Sequence, residues 1–132
     1  MNLGQARVLI AGRESEAKLL AIYTPRAQVA GEVDVATSKE QAWRAIDSQA
    51  NALGLDIVIT AARLPGGTTA PELVGYADRQ APISVPSVLV FSANPDELEA
   101  ARRAIPGAET LLSPFEISDF KKKLHDLAIR RR

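Results

Sequence analysis

Two arginines and a serine stand where this chain could handle an anion. Arg13 follows the short apolar run Arg7–Ala11, Arg63 follows Asp56–Ala61, and Ser92 closes the run that begins at Ser87. A guanidinium presents a planar fork of donors that matches phosphate or carboxylate, and Ser92 could serve as a modified or switching hydroxyl. The competing reading is that both arginines are solvated loop residues, or pair with Glu14, and that Ser92 bonds nearby backbone. Gly66-Gly67-Thr68-Thr69 is glycine-rich ahead of a helix. It lacks the GK[ST] ending of a P-loop and the GxGxxG spacing of a dinucleotide site, so it reads as a turn. With no cysteine and one histidine, His125, thiol nucleophiles, disulfides, cysteine-based metal sites and imidazole clusters are excluded. No nucleophile, base and orienting group can be assembled, so the chain reads as non-enzymatic, without metal or cofactor.

The elements that must position these residues alternate between short apolar runs and longer amphipathic stretches, the mark of repeated βα units and a parallel sheet. Arg7–Ala11 is the first strand, followed by a helix from about Ser15 whose Leu19, Ile22 and Tyr23 share a face until Pro25 disrupts it. Glu32–Ala36 alternates apolar and polar residues, as an edge strand would, and Ser38 caps a helix carrying Ala42, Ile46, Ala50 and Leu53 up to Gly54. Asp56–Ala61 and Ser87–Phe91 are nearly continuous apolar runs and belong mid-sheet. Between them a helix spans about Pro71–Arg79. Asn94-Pro95-Asp96-Glu97 starts another helix, with Asn94 as cap, Pro95 in first position and Glu97 at the capping-box position. A last strand, Glu109–Leu112, leads through Ser113-Pro114 to a helix from about Ser118 with the stripe Phe120, Leu124, Leu127.

At 132 residues the expectation is one domain, 1–132. Sixteen basic and sixteen acidic side chains cancel, which argues against a nucleic-acid-coating protein. No apolar run approaches the about 20 residues of a membrane span, so membrane insertion is not expected, and the absence of cysteine fits a cytoplasmic location. Residues 101–132 hold eight basic and four acidic side chains, concentrated at Lys121, Lys122, Lys123 and Arg130–Arg132. This basic end could meet an acidic partner, or be a solvated helix face. Trp43, beside Ala42 and three residues before Ile46, reads as core edge, and His125 as exposed.

Five βα units with the landmarks VLIAGRE (Val8–Glu14), EVDVATSKEQA (Glu32–Ala42), DIVITAARLPGG (Asp56–Gly67), VLVFSA (Val88–Ala93) and GAETLLSPF (Gly107–Phe115) resemble the receiver domain of bacterial two-component response regulators. The resemblance implies a flavodoxin-like, doubly wound α/β fold: a five-stranded parallel sheet in the order 2-1-3-4-5, with helices on both faces. It also implies a cis bond at Ser113-Pro114.

A working receiver needs an acid pair after the first strand and an aspartate ending the third, which together hold magnesium and accept a phosphoryl group. Here the acid pair falls on Gly12 and Arg13 and the acceptor position on Ala61. The family's lysine position holds Ser113, and its aromatic switch position holds Thr110. Only Ser92 is kept, at the switch hydroxyl. The chain therefore looks like a degenerate receiver, a pseudo-receiver that is not phosphorylated on aspartate and signals by binding a protein partner. The resemblance places that partner on the fourth helix, fifth strand and fifth helix, around Thr110, Lys121 and Lys122, and leaves a homodimer open. The alternative is a sensor that binds a small anion or nucleotide at the Arg13/Arg63 rim.

Overall fold

The computed structural model describes residues 6–26, 30–50, 55–80 and 86–130. Its elements alternate strictly: β1 (Ala6–Ala11), α1 (Glu14–Arg26), β2 (Ala30–Ala36), α2 (Lys39–Ala50), β3 (Ile57–Ala61), α3 (Ala70–Gln80), β4 (Ser87–Ser92), α4 (Pro95–Ala104), β5 (Glu109–Leu112) and α5 (Ile117–Arg130). The strands form one sheet in the order β2-β1-β3-β4-β5, with every pairing parallel. This is the flavodoxin-like architecture that the sequence implies.

Alternation along each central strand divides the apolar side chains between two cores. Val8, Ile10, Ile57, Ile59, Leu89, Phe91 and Leu111 pack against Ala17 and Leu20 of α1 and Phe120, Leu124 and Leu127 of α5. On the opposite face Leu9, Val58, Val88 and Val90 meet Ala42 and Ile46 of α2, Leu73 and Ala77 of α3, and Leu98 and Ala101 of α4. All five residues of β3 are buried, because it lies mid-sheet under helices on both faces. The edge strand β2 leaves Val35 exposed.

The first helix departs from expectation. Leu19 and Ile22 are 47% and 51% exposed, and the face turned to the sheet is Ala17, Leu20, Ala21 and Thr24. That set keeps the i, i+3, i+4, i+7 period. It is poor in large apolar residues, which is why hydropathy favoured a face of which only Tyr23 packs, partly buried, against the core. Thr24 is fully buried because its Oγ1 donates to the Leu20 carbonyl at 2.7 Å. The helix also continues through Pro25 to Arg26, since a proline this close to the end removes only one backbone bond. Leu53 and Gly54 lie outside the described residues. The Ser113-Pro114 bond is cis. No helix among the described residues is long and apolar enough to cross a membrane.

Candidate functional site

The carboxyl ends of β1, β3 and β4 open onto a concavity of about 410 Å³. This is where a doubly wound sheet places its ligands. Arg13 and Glu16 line it from the β1–α1 side, Ala61, Arg63 and Leu64 from the end of β3, and Phe91, Ser92, Asn94 and Glu97 from β4 and α4. Three of the five residues that the sequence assigns to the degenerate pocket line the concavity, Arg13, Ala61 and Ser92, and Gly12 lies beneath against Phe91 and Ala61. Ser113 does not line this concavity. It lines a smaller apolar groove between α1 and the start of α5, with Leu19, Phe91 and Phe115.

The floor is apolar and closely packed. A Cβ placed at Gly12 would lie 3.1 Å from Cζ of Phe91 and 3.7 Å from Cβ of Ala61. Phe91 is 2% exposed and packed in the α1/α5 core, so a Cβ at residue 12 would require the ring to shift by a few tenths of an ångström against that core. Where a metal-binding receiver needs carboxylates, this chain has the hydrogen atom of Gly12, the guanidinium of Arg13 and the methyl group of Ala61. A hard divalent cation requires several oxygen ligands. No group of three His, Cys, Asp or Glu side chains among the described residues could hold a metal. The residues present do not fit magnesium.

The rim is polar, and its charges are not arranged as the sequence suggests. Arg63 Nε faces Glu97 Oε2 at 3.4 Å and its Nη1 reaches the Gly67 carbonyl at 3.5 Å. Ser92 Oγ donates to Glu97 Oε1 at 2.8 Å and accepts the Asn94 backbone N–H at 3.0 Å. Glu97 therefore does not close a capping box onto Asn94, because Ser92 already holds that amide. The Asn94 side chain still caps α4 by accepting from the Asp96 N–H at 2.9 Å. Glu14 pairs with Lys18 at 2.6 Å rather than with either arginine, and that bond holds its carboxyl below the ordinary value. Of the two rim arginines, Arg13 keeps an exposed guanidinium without a side-chain partner among the described residues. Of the two arginines expected at this rim, Arg63 is paired with Glu97, and Arg13 shares the concavity with Glu16. Glu97 is the rim residue that sequence reasoning missed, because its position explained it as a cap.

The Gly66-Gly67 loop is a turn, as expected. Both glycines have positive φ, the Gly67 amide donates to Leu64 and the Leu64 amide to Thr68.

The second candidate surface is built by α4, β5 and α5. Thr110 is corrected here: it is 9% exposed, and Arg102 covers it by donating to its Oγ1 at 2.5 Å. Arg102 and Arg103 share Glu99 at 3.1 and 3.3 Å. Lys123 is held by Glu109 at 3.1 Å, which leaves Lys121 and Lys122 without a side-chain partner among the described residues. Leu112 is half-exposed at the end of β5, an apolar position the sequence did not single out. His125 is half-buried rather than exposed. Trp43 does sit at the core edge, stacked on Tyr76 with ring centroids 4.6 Å apart.

No protein-family model matches the chain, and no curated protein sequence does. Solved structures match it over nearly its whole length. A response regulator receiver domain protein from Clostridium thermocellum superposes with a TM-score of 0.72 at 21% identity, covering 96% of this chain and 97% of that one. The beryllofluoride-activated NtrC4 receiver domain dimer gives 0.71 at 20%, covering 96% and 98%. The receiver domain of the sensor histidine kinase PA1611 from Pseudomonas aeruginosa PAO1, with magnesium coordinated in its active-site cleft, gives 0.67 at 16%, covering 93% and 97%. The chain has the receiver-domain fold.

Proposed function

We propose that this chain is a cytoplasmic signalling module of receiver type that neither binds magnesium nor forms an acyl phosphate, and that acts by contact with a protein partner. The observation that carries this is the floor of the rim: Gly12, Ala61 and the Phe91 edge, 3.1 Å from where a Cβ at residue 12 would stand. An aspartyl nucleophile is missing at Ala61, and Gly12 and Arg13 supply no first-strand carboxylate to hold a metal. The scaffold around this floor is nevertheless complete.

The partner surface follows from Lys122 and Leu112, which are exposed, and from Lys121, which is half-buried and unpaired among the described residues. Lys121, Lys122 and half-exposed Leu112 lie on adjoining elements and combine positive charge with an apolar anchor, a combination suited to an acidic partner. Ser92 is tied to Glu97 and Thr110 is covered by Arg102, so the residues at the two switch positions are engaged in fixed side-chain bonds. That supports a surface presented constitutively. Regulation otherwise requires a ligand with different affinity for two states. The anion-sensor alternative has less support as a primary role, because Glu97 compensates Arg63.

The test is a magnesium titration with and without beryllofluoride, followed by backbone amide shifts of Gly12, Ala61 and Ser92. Unchanged shifts at these three amides are expected. Saturable magnesium-dependent shifts would overturn the proposal.

A further inference from the structure

At the opposite end of the sheet from the rim, by the amino ends of β4 and β5, lies a second concavity of about 620 Å³. One face of α3 forms a wall of it, because Pro71, Val74, Gly75 and Asp78 stand at i, i+3, i+4 and i+7. Ile105, which follows α4, and Leu127 of α5 add apolar surface from other sides. A mostly apolar hollow of this size with few polar groups is the usual form of a small-molecule site. Among the described residues that line it, Asp78 is the one charged side chain.

Two features of this wall cost stability without serving the fold. Asp78 has no hydrogen-bond or ion-pair partner among the described residues, and its Oδ1 is shut off from solvent as well. Burial alone raises its carboxyl above the ordinary value, so no neighbouring cation offsets the lost hydration. Gly75 sits in the middle of α3, where glycine weakens a helix relative to alanine. Packing does not require it: a Cβ there would meet only Nη1 of Arg79, at 3.5 Å, an ordinary contact with the end of a flexible side chain. The unpartnered carboxylate and the dispensable glycine lie three residues apart on one face, and a ligand received by that wall accounts for both.

We infer that this cavity binds a small organic cation, an ammonium head on an apolar body, with Asp78 as its counter-ion and Gly75 leaving room for the body. Charge complementarity selects the head. An ionised carboxylate only accepts hydrogen bonds, and an ammonium brings up to three donors together with the opposite charge. An anion would be repelled, and a wholly apolar ligand would leave Asp78 desolvated and still unpaired. The apolar walls select the body. The site is remote from Gly12, Ala61 and Ser92, so the inference is independent of whether the chain accepts a phosphoryl group or uses a protein partner.

The test titrates the chain at pH 7 with phenethylammonium, with its neutral isostere phenethyl alcohol and with the anion phenylacetate. Backbone amide shifts of Gly75, Asp78 and Val88 report the cavity, and those of Gly12, Ala61 and Ser92 serve as the remote reference. Phenethylammonium should bind saturably, with a Kd on the order of millimolar or tighter, and move the cavity amides alone. The alcohol should bind about tenfold more weakly, and phenylacetate should not bind. Asp78→Asn keeps the shape of the wall and should weaken phenethylammonium by about tenfold with no loss of melting temperature. Gly75→Leu should fill the space, strengthen α3 and abolish binding. Absence of saturable shifts, shifts at the rim amides instead, equal affinity for the alcohol, or native affinity in either variant would each overturn the inference. Should Gly75→Leu not fold, Asp78→Asn and the alcohol decide.

Discussion

The Cβ that any residue other than glycine would carry at position 12 falls 3.1 Å from Cζ of Phe91, so the identities of these two residues are linked. A side chain after β1 and the phenyl ring at the end of β4 share this floor only if the ring shifts by a few tenths of an ångström. The chain has the ring, and the ring is anchored by the whole α1/α5 core.

This linkage sets the cost of filling the floor. Gly12→Ala should destabilise the fold, because about 1–3 kcal/mol of overpacking exceeds the roughly 0.5 kcal/mol returned by a less flexible unfolded chain. Thermal denaturation should show the loss, and Phe91→Leu in the same chain should recover part of it as a non-additive cycle. Strict additivity would mean that the two side chains do not meet.

Asp78 gives the chain a pH dependence of known sign. Its Oδ1 is buried without a hydrogen-bond partner, and burial pushes its carboxyl above the ordinary value of 3.8. The fold thus favours the protonated form. Stability from this group is complete below 3.8 and is lost as pH rises through the elevated folded-state value. Asp78→Asn, which keeps the shape and removes the charge, should raise the melting temperature at pH 7. The difference should vanish in acid below the ordinary aspartate range, as differential scanning calorimetry across pH would show.

Much of this molecule is legible in its sequence, for identifiable reasons. β3 and β4 read as central strands because burial on both faces demands continuous apolar residues, and α4 announces itself through Asn94 and Pro95. The face of α1 was hidden because alanine and a self-satisfied threonine do the packing while Leu19 and Ile22 remain outside. At the site, the missing carboxylates were plain from residue identity. The contact between Gly12 and Phe91 was not, because it joins distant strands and depends on where one ring edge lies. Glu97 was hidden by ambiguity. A glutamate three residues after a cap can turn back to the cap amide or outward, and Ser92 Oγ decides by holding the Asn94 amide itself.

Charge on α5 separates a constitutive surface from a rim-triggered one. Reversing Lys121 and Lys122 to glutamate should weaken binding of the physiological partner by about tenfold or more, mainly through slower association. Ser92→Ala should leave that affinity nearly unchanged. Surface plasmon resonance on a partner captured by the native chain measures both. The reverse pattern, with Ser92 essential and the lysines dispensable, would replace the constitutive surface with a switch.

Leu112 should act as the apolar anchor of the same surface. Leu112→Asp should reduce partner binding at least as much as the lysine reversals while leaving the melting temperature close to native, since the side chain is half-exposed at the end of an edge strand. A comparable loss of fold stability would assign it to packing instead.

Signalling without phosphoryl transfer is tested most directly by incubating the chain with acetyl phosphate and magnesium and measuring its intact mass, beside a phosphorylatable receiver as positive control. With Gly12, Arg13 and Ala61 in place of the carboxylates, the expected spectrum contains the unmodified mass alone while the control is modified. A stoichiometric, magnesium-dependent phosphoryl adduct on this chain would contradict that account.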